Sequence, residues 1–122
     1  MKKLIIVLFA LFFLATGATA FDPIYMQNSA VKTADALIDT GPGYFYGVVC
    51  QTDGTNSVTF AVDDSTAGTG DKLHADIICT TSSTNRTCVY GFDPPVPYST
   101  GLYVNITSSD ATPDFTVYFR EK

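Results

Sequence analysis

From residue 21 onward the chain alternates apolar and polar positions with a period of two. No stretch of helical period survives past residue 20. The clearest case is residues 58–63, where Val58, Phe60 and Val62 point one way and Thr59, Ala61 and Asp63 the other. That is the pattern of a strand with one buried face. The run before it is apolar on both faces, with Tyr44, Tyr46, Val48 and Cys50 on one and Phe45, Gly47 and Val49 on the other. Two apolar faces predict a central strand. Asp53-Gly54 lies between the two runs, and Asp-Gly in that setting is a strong hairpin signal. Residues 41–64 are therefore expected to form a hairpin around which the rest is organised.

The remaining elements follow from the same period. Residues 21–29 make an aperiodic lead, and residues 30–39 alternate enough to predict a strand before Gly41-Pro42-Gly43 ends it. After a loop over 65–70, residues 71–80 alternate Leu73, Ala75, Ile77 and Cys79 against Lys72, His74, Asp76 and Ile78. A polar loop follows, then a strand over 87–92. Pro94, Pro95 and Pro97 lack the donor that a ladder needs, so residues 93–97 belong on an edge or at a crossing between sheets. Leu102, Val104 and Ile106 mark the next strand, and Phe115, Val117 and Phe119 the last. Seven or eight short strands at this spacing predict an all-β fold, an antiparallel β-sandwich of jelly-roll-like kind, as a single domain over residues 21–122.

The first twenty residues change the picture of where the domain works. Lys2 and Lys3 precede an apolar run from Leu4 to Ala15, and Ala18-Thr19-Ala20 supplies a small-x-small cleavage site. This is the layout of a secretory signal. The run is shorter than the roughly 18–20 apolar residues of a spanning helix. The expectation is a cleaved signal helix over 1–20, a secreted or periplasmic product, and no stable membrane insertion after cleavage. Without Lys2 and Lys3, five basic groups remain against twelve acidic ones, a net charge of −7. A nucleic-acid binder shows the opposite balance, with cations gathered on one face.

Cys50, Cys79 and Cys88 all lie in the exported part, where an oxidising compartment permits a bridge. Cys79 and Cys88 flank the loop 80–87, and a symmetric turn there would set them opposite one another as a hairpin disulfide. The alternative is a bridge from Cys50 to either partner. Catalytic motifs are missing: the single His74 sits on the polar side of its strand, and no Gly-x-Ser-x-Gly occurs. No cofactor is implied. Asp63, Asp64 and Asp71 are the candidate ligands of a calcium ion, although the spacing of a calcium loop and its closing Glu are absent. Asn85-Arg86-Thr87 and Asn105-Ile106-Thr107 match the N-glycosylation pattern.

The aromatic content is a further signal, with seven Tyr, nine Phe and no Trp. Tyr44, Tyr46, Tyr98, Tyr103 and Tyr118 are expected to lie partly exposed and form the candidate binding surface, because Tyr buries area while keeping a polar tip. The order of Gly41-Pro42-Gly43, Tyr46-Gly47-Val48-Val49, Thr52-Asp53-Gly54-Thr55-Asn56 and Ser99-Thr100-Gly101-Leu102-Tyr103-Val104 resembles small all-β proteins found among bacteriophage structural genes. The resemblance covers about residues 33–120 and implies a virion-surface or fibre-associated role. The signal and the three cysteines depart from that pattern and favour an exported relative. Two functions are expected from these readings. One is a non-enzymatic exported structural or assembly module acting by self-association or surface display. The other is a secreted module that recognises a glycan or a surface protein through tyrosines and loops.

Overall fold

The computed structural model describes residues 26–80, 82–108 and 113–122. The signal expected over residues 1–20 lies outside them. Nine strands are present among the described residues: β1 (Gln27–Asn28), β2 (Ala36–Thr40), β3 (Gly43–Gln51), β4 (Val58–Asp64), β5 (Asp71–Lys72), β6 (Ile77–Cys79), β7 (Thr87–Tyr98), β8 (Gly101–Ser108) and β9 (Asp114–Glu121). They form two antiparallel sheets packed face to face, the expected β-sandwich. Sheet I runs β1-β9-β3-β7, and sheet II runs β2-β8-β4 with β5 and β6 both on the far side of β4.

The core lies between the sheets and is built by the apolar phase of each strand. Phe45, Val48 and Cys50 of β3 and Phe115, Val117 and Phe119 of β9 face Val58, Phe60 and Val62 of β4 and Leu102 and Val104 of β8. Phe60 and Phe115 meet edge to face across the layer, 5.2 Å between centroids. Such aromatic pairs add about 0.5–1.5 kcal/mol beyond their buried area.

The expected hairpin over residues 41–64 is not formed. β3 pairs with β7 and β9 in sheet I, whereas β4 pairs with β8, β5 and β6 in sheet II. Both edges of each strand are therefore occupied by others, and the Asp53-Gly54 turn carries the chain from one sheet to the other. The turn chemistry itself is as expected. Asp53 Oδ1 accepts from the N–H groups of Thr55 and Asn56, and Gly54 adopts φ +82. A turn of this kind is local and does not specify which partners the flanking strands choose.

A second difference lies within β3. Strict alternation would set Tyr44, Tyr46, Val48 and Cys50 on one face, but the inward residues are Phe45, Val48 and Cys50. Phe45 faces Phe119 and Gly47 faces Tyr118, so Tyr46 is an extra residue in a β-bulge and the phase flips across it. Gly47 is required there. It has φ +153, and a Cβ would run into the carbonyl oxygen of Tyr90 on β7.

Two expected strands are shorter. Residues 30–39 yield β2 alone, preceded by an isolated bridge between Lys32 and Phe115. Residues 71–80 break into β5 and β6, two pieces of one edge separated by a bend that carries His74. The prolines lie where expected, on an edge, because β7 pairs with β3 and with no other strand of the described residues.

Candidate functional site

β3 is covered on its inner face by sheet II, and its outer face carries Tyr44, Tyr46 and Val49, all half-buried. Tyr118 of β9 lies beside them, because Tyr118 is the cross-strand neighbour of Gly47. On the other flank, Val89 of β7 faces Val49 and is 72% exposed, the most exposed large apolar side chain among the described residues. Met26, at the start of the described chain, closes the near side. Tyr46, Val49, Tyr118, Val89 and Met26, without Tyr44, line a shallow groove of about 430 Å³ together with Gly47, Gly91 and Asp93. The two glycines have no side chain to fill it. The bulge at Tyr46 is what places that ring over the groove.

The five tyrosines singled out from the sequence do not gather into one surface. Tyr44, Tyr46 and Tyr118 share the outer face of sheet I, and Tyr44 stacks under the guanidinium of Arg120 at 4.9 Å. Tyr103 is half-buried on the outer face of sheet II, between the inward residues Leu102 and Val104, on the opposite side of the molecule. Tyr98 is a correction, being 4% exposed and part of the core. Its Oη donates to Asp39 Oδ2 at 2.6 Å, and Asp39 Oδ1 accepts from the N–H of Thr40. Burial first, then the Asp39 hydrogen bond and charge, push the Tyr98 phenol well above its ordinary range. A partner this distant in sequence left no local signal.

Cys79 and Cys88 are disulfide-bonded with 5.8 Å between their Cα atoms. The pairing is the expected one, but the hairpin is not. β6 belongs to sheet II and β7 to sheet I, so the bridge ties the two sheets at their edge. Tyr90 adds a second tie there by donating its Oη to the carbonyl of Ile78 at 2.7 Å. Cys50 is a free, buried thiol directly opposite Cys88 in the register of β3 and β7. Burial, and then the Asp114 carboxylate, push this thiol up to about 11.

Asp63, Asp64 and Asp71 do not form a group that could hold a metal ion. Asp63 is buried and accepts from Asn105 Nδ2 at 2.6 Å. Burial raises its carboxyl above the usual range, against the pull of Asn105 and Lys72. Asp64 points the other way and closes the turn between β7 and β8. Its oxygens accept from Ser99 N and Oγ, Thr100 N and Gly101 N. Burial alone would raise Asp64, but these bonds outweigh it and hold the carboxyl below its ordinary value. Asp71 is exposed opposite Asp64 on β5. Among the described residues, no three or more His, Cys, Asp or Glu side chains are grouped so as to hold a metal ion.

The two sequons differ in setting. Asn85 is exposed in the turn after β6. The amide nitrogen of Asn105 donates to both Asp63 and the carbonyl of Gly68, so its hydrogens are already used inside the fold. His74 is exposed, with its ring 4.7 Å from that of Phe92 and Nδ1 against the carbonyl of Ala75. No helix among the described residues is long and apolar enough to cross a membrane. Comparison with protein-family models, with curated proteins and with solved structures found no match.

Proposed function

We propose that this chain is an exported, non-enzymatic structural or assembly module that acts by self-association or surface display through the outer face of sheet I. The observation that carries this reading is the groove of Tyr46, Val49, Val89 and Tyr118, an apolar strip on a sheet whose other face already serves the core. The concave, mostly apolar strip beside the exposed Val89 gives another surface a place to dock. The inter-sheet disulfide is in keeping with an oxidising compartment. The turn motifs, in resembling those of small phage structural proteins, accord with display on a particle or cell surface.

Light scattering on the protein beginning at Phe21 tests the reading. Association at micromolar concentration is expected, and a clean monomer throughout would overturn it. The rival is a secreted recognition module for a glycan or surface protein. It draws on the aromatic lining of the same groove, where Tyr46 and Tyr118 offer rings and Asp93 an acceptor. Glycan-array binding by a monomer would select it. Export itself is checked by intact mass, which should show cleavage after Ala20.

A further inference from the structure

Among the described residues β7 is an edge strand, and its backbone is unevenly protected. In its second half, Pro94, Pro95 and Pro97 cannot donate to a neighbouring strand. Its first half, Thr87 to Phe92, has no proline and contains Val89, Tyr90 and Gly91, all exposed.

The direction of each backbone group there follows from the ladder. Thr52 N donates to Arg86 O at 2.8 Å, so Thr52 and Arg86 are a hydrogen-bonded pair. Antiparallel pairs alternate between bonded and non-bonded. The register pairs Cys50 with Cys88 and Val48 with Tyr90, which are then the next bonded pairs. The close approach of the Tyr90 carbonyl to Gly47 agrees, since that oxygen points into the sheet. Thr87, Val89 and Gly91 are the non-bonded set, and their N–H and C=O groups point away from β3 to the open edge. Thr87 N–H confirms the direction by turning to Asn85 Oδ1 at 3.4 Å.

We infer that this open edge binds a second copy of the same strand, with β7 pairing antiparallel to β7 about a two-fold axis at Val89. The inference rests on the self-association reading and specifies its geometry. In this register Val89 exchanges both of its backbone bonds with the partner's Val89, and Thr87 lies opposite the partner's Gly91. The outward set of one copy thus meets the outward set of the other, a self-complementary match that a two-fold interface demands. Pairing also sets the two Val89 side chains side by side on the outer face, so the two grooves become one continuous apolar surface. The prolines end the pairing at residue 94, which keeps it finite.

Amide hydrogen exchange on the unmodified protein, at micromolar and at millimolar concentration, tests this. Val89 and Gly91 are expected to gain protection as concentration rises, while Cys88 and Tyr90, already bonded to β3, stay protected throughout. Val89→Pro removes the outward donor without touching a bond to β3 and should weaken self-association at least about tenfold, whereas Val89→Ala keeps the donor and should retain most of it. If Val89 and Gly91 exchange independently of concentration while the protein still associates, or if Val89→Ala is as weak as Val89→Pro, edge pairing is wrong and the outer face alone is the interface. A wild-type protein that stays monomeric at both concentrations overturns this inference and the self-association reading together.

Discussion

Cys79 and Cys88 lie nine residues apart in sequence yet belong to different sheets, so their disulfide is a covalent tie across the sandwich at its β6–β7 edge. Closing a loop of about ten residues is worth roughly 2–3 kcal/mol in the chain-entropy account. The Cys79→Ala/Cys88→Ala double variant should lose about that much stability in urea unfolding. Loss of the tie should also speed hydrogen exchange at Ile78 and Tyr90 before the rest of the core.

Cys50 should behave as an inert thiol. It is buried and its thiol is pushed up to about 11. The native protein should show no reaction with a thiol reagent near neutral pH, and one equivalent should appear on unfolding without reductant. Because its folded value lies above the unfolded one, its contribution is fully present below about pH 8.5 and is lost as pH rises towards 11.

Replacing Tyr98 with Phe leaves the buried Asp39 carboxylate without its phenol donor. A cost of about 1.5–3 kcal/mol is expected, the range for a hydrogen bond to a charged group. The pH dependence gives a separate signature. The phenol is raised in the fold, so its contribution is complete below about pH 10 and lost above that, where the unfolded tyrosine ionises. Equilibrium unfolding across alkaline pH should show a shallower loss in Tyr98→Phe than in the wild type.

Asp64 gathers four donors from residues 99–101 and holds the β7–β8 turn. Asp64→Ala should cost about 1 kcal/mol, because the donors of Ser99 and Thr100 are exposed and turn to water when the carboxylate is removed. The carboxyl is held below its ordinary value, so this contribution is complete above about pH 5 and fades as the pH falls through the folded value. Urea unfolding read by tyrosine fluorescence should show wild type more stable than Asp64→Asn near neutral pH, with the difference shrinking as the pH falls below about 5.

Gly47→Ala should be destabilising by roughly 1–3 kcal/mol, since the bulge needs a backbone conformation that alanine resists and a space that Tyr90 already fills. The same change at Gly91 is expected to be far milder, because a Cβ there meets nothing closer than the carbonyl of Tyr46 at 3.9 Å. Thermal melts of the two variants compared side by side check the contrast.

Much of the fold was legible without coordinates, because a period of two is a local property. Val58, Phe60 and Val62, Leu102 and Val104, and Phe115, Val117 and Phe119 face the core as their alternation requires. The prolines of β7 place it on an edge for an equally local reason, the missing donor. The candidate site was only partly legible. Tyr44, Tyr46 and Tyr118 could be nominated by type, but Val89, Gly91 and Met26 carry no chemical label that marks them as lining a groove.

What the chain alone determined, then, is the strand period, the inward apolar residues of β4, β8 and β9 and the turn chemistry, while it favoured the Cys79–Cys88 pair over a bridge from Cys50. What tertiary structure decided is partnership. It split the Asp53-Gly54 runs between two sheets, inserted Tyr46 as a bulge that reverses the faces of β3, and drew Tyr98 inward to Asp39 across 59 residues of chain. The physical reason is that a strand offers the same backbone groups at both edges whatever its side chains are. Which neighbour takes each edge is settled by how all the apolar faces can be buried at once, a condition on the whole molecule that no single stretch contains.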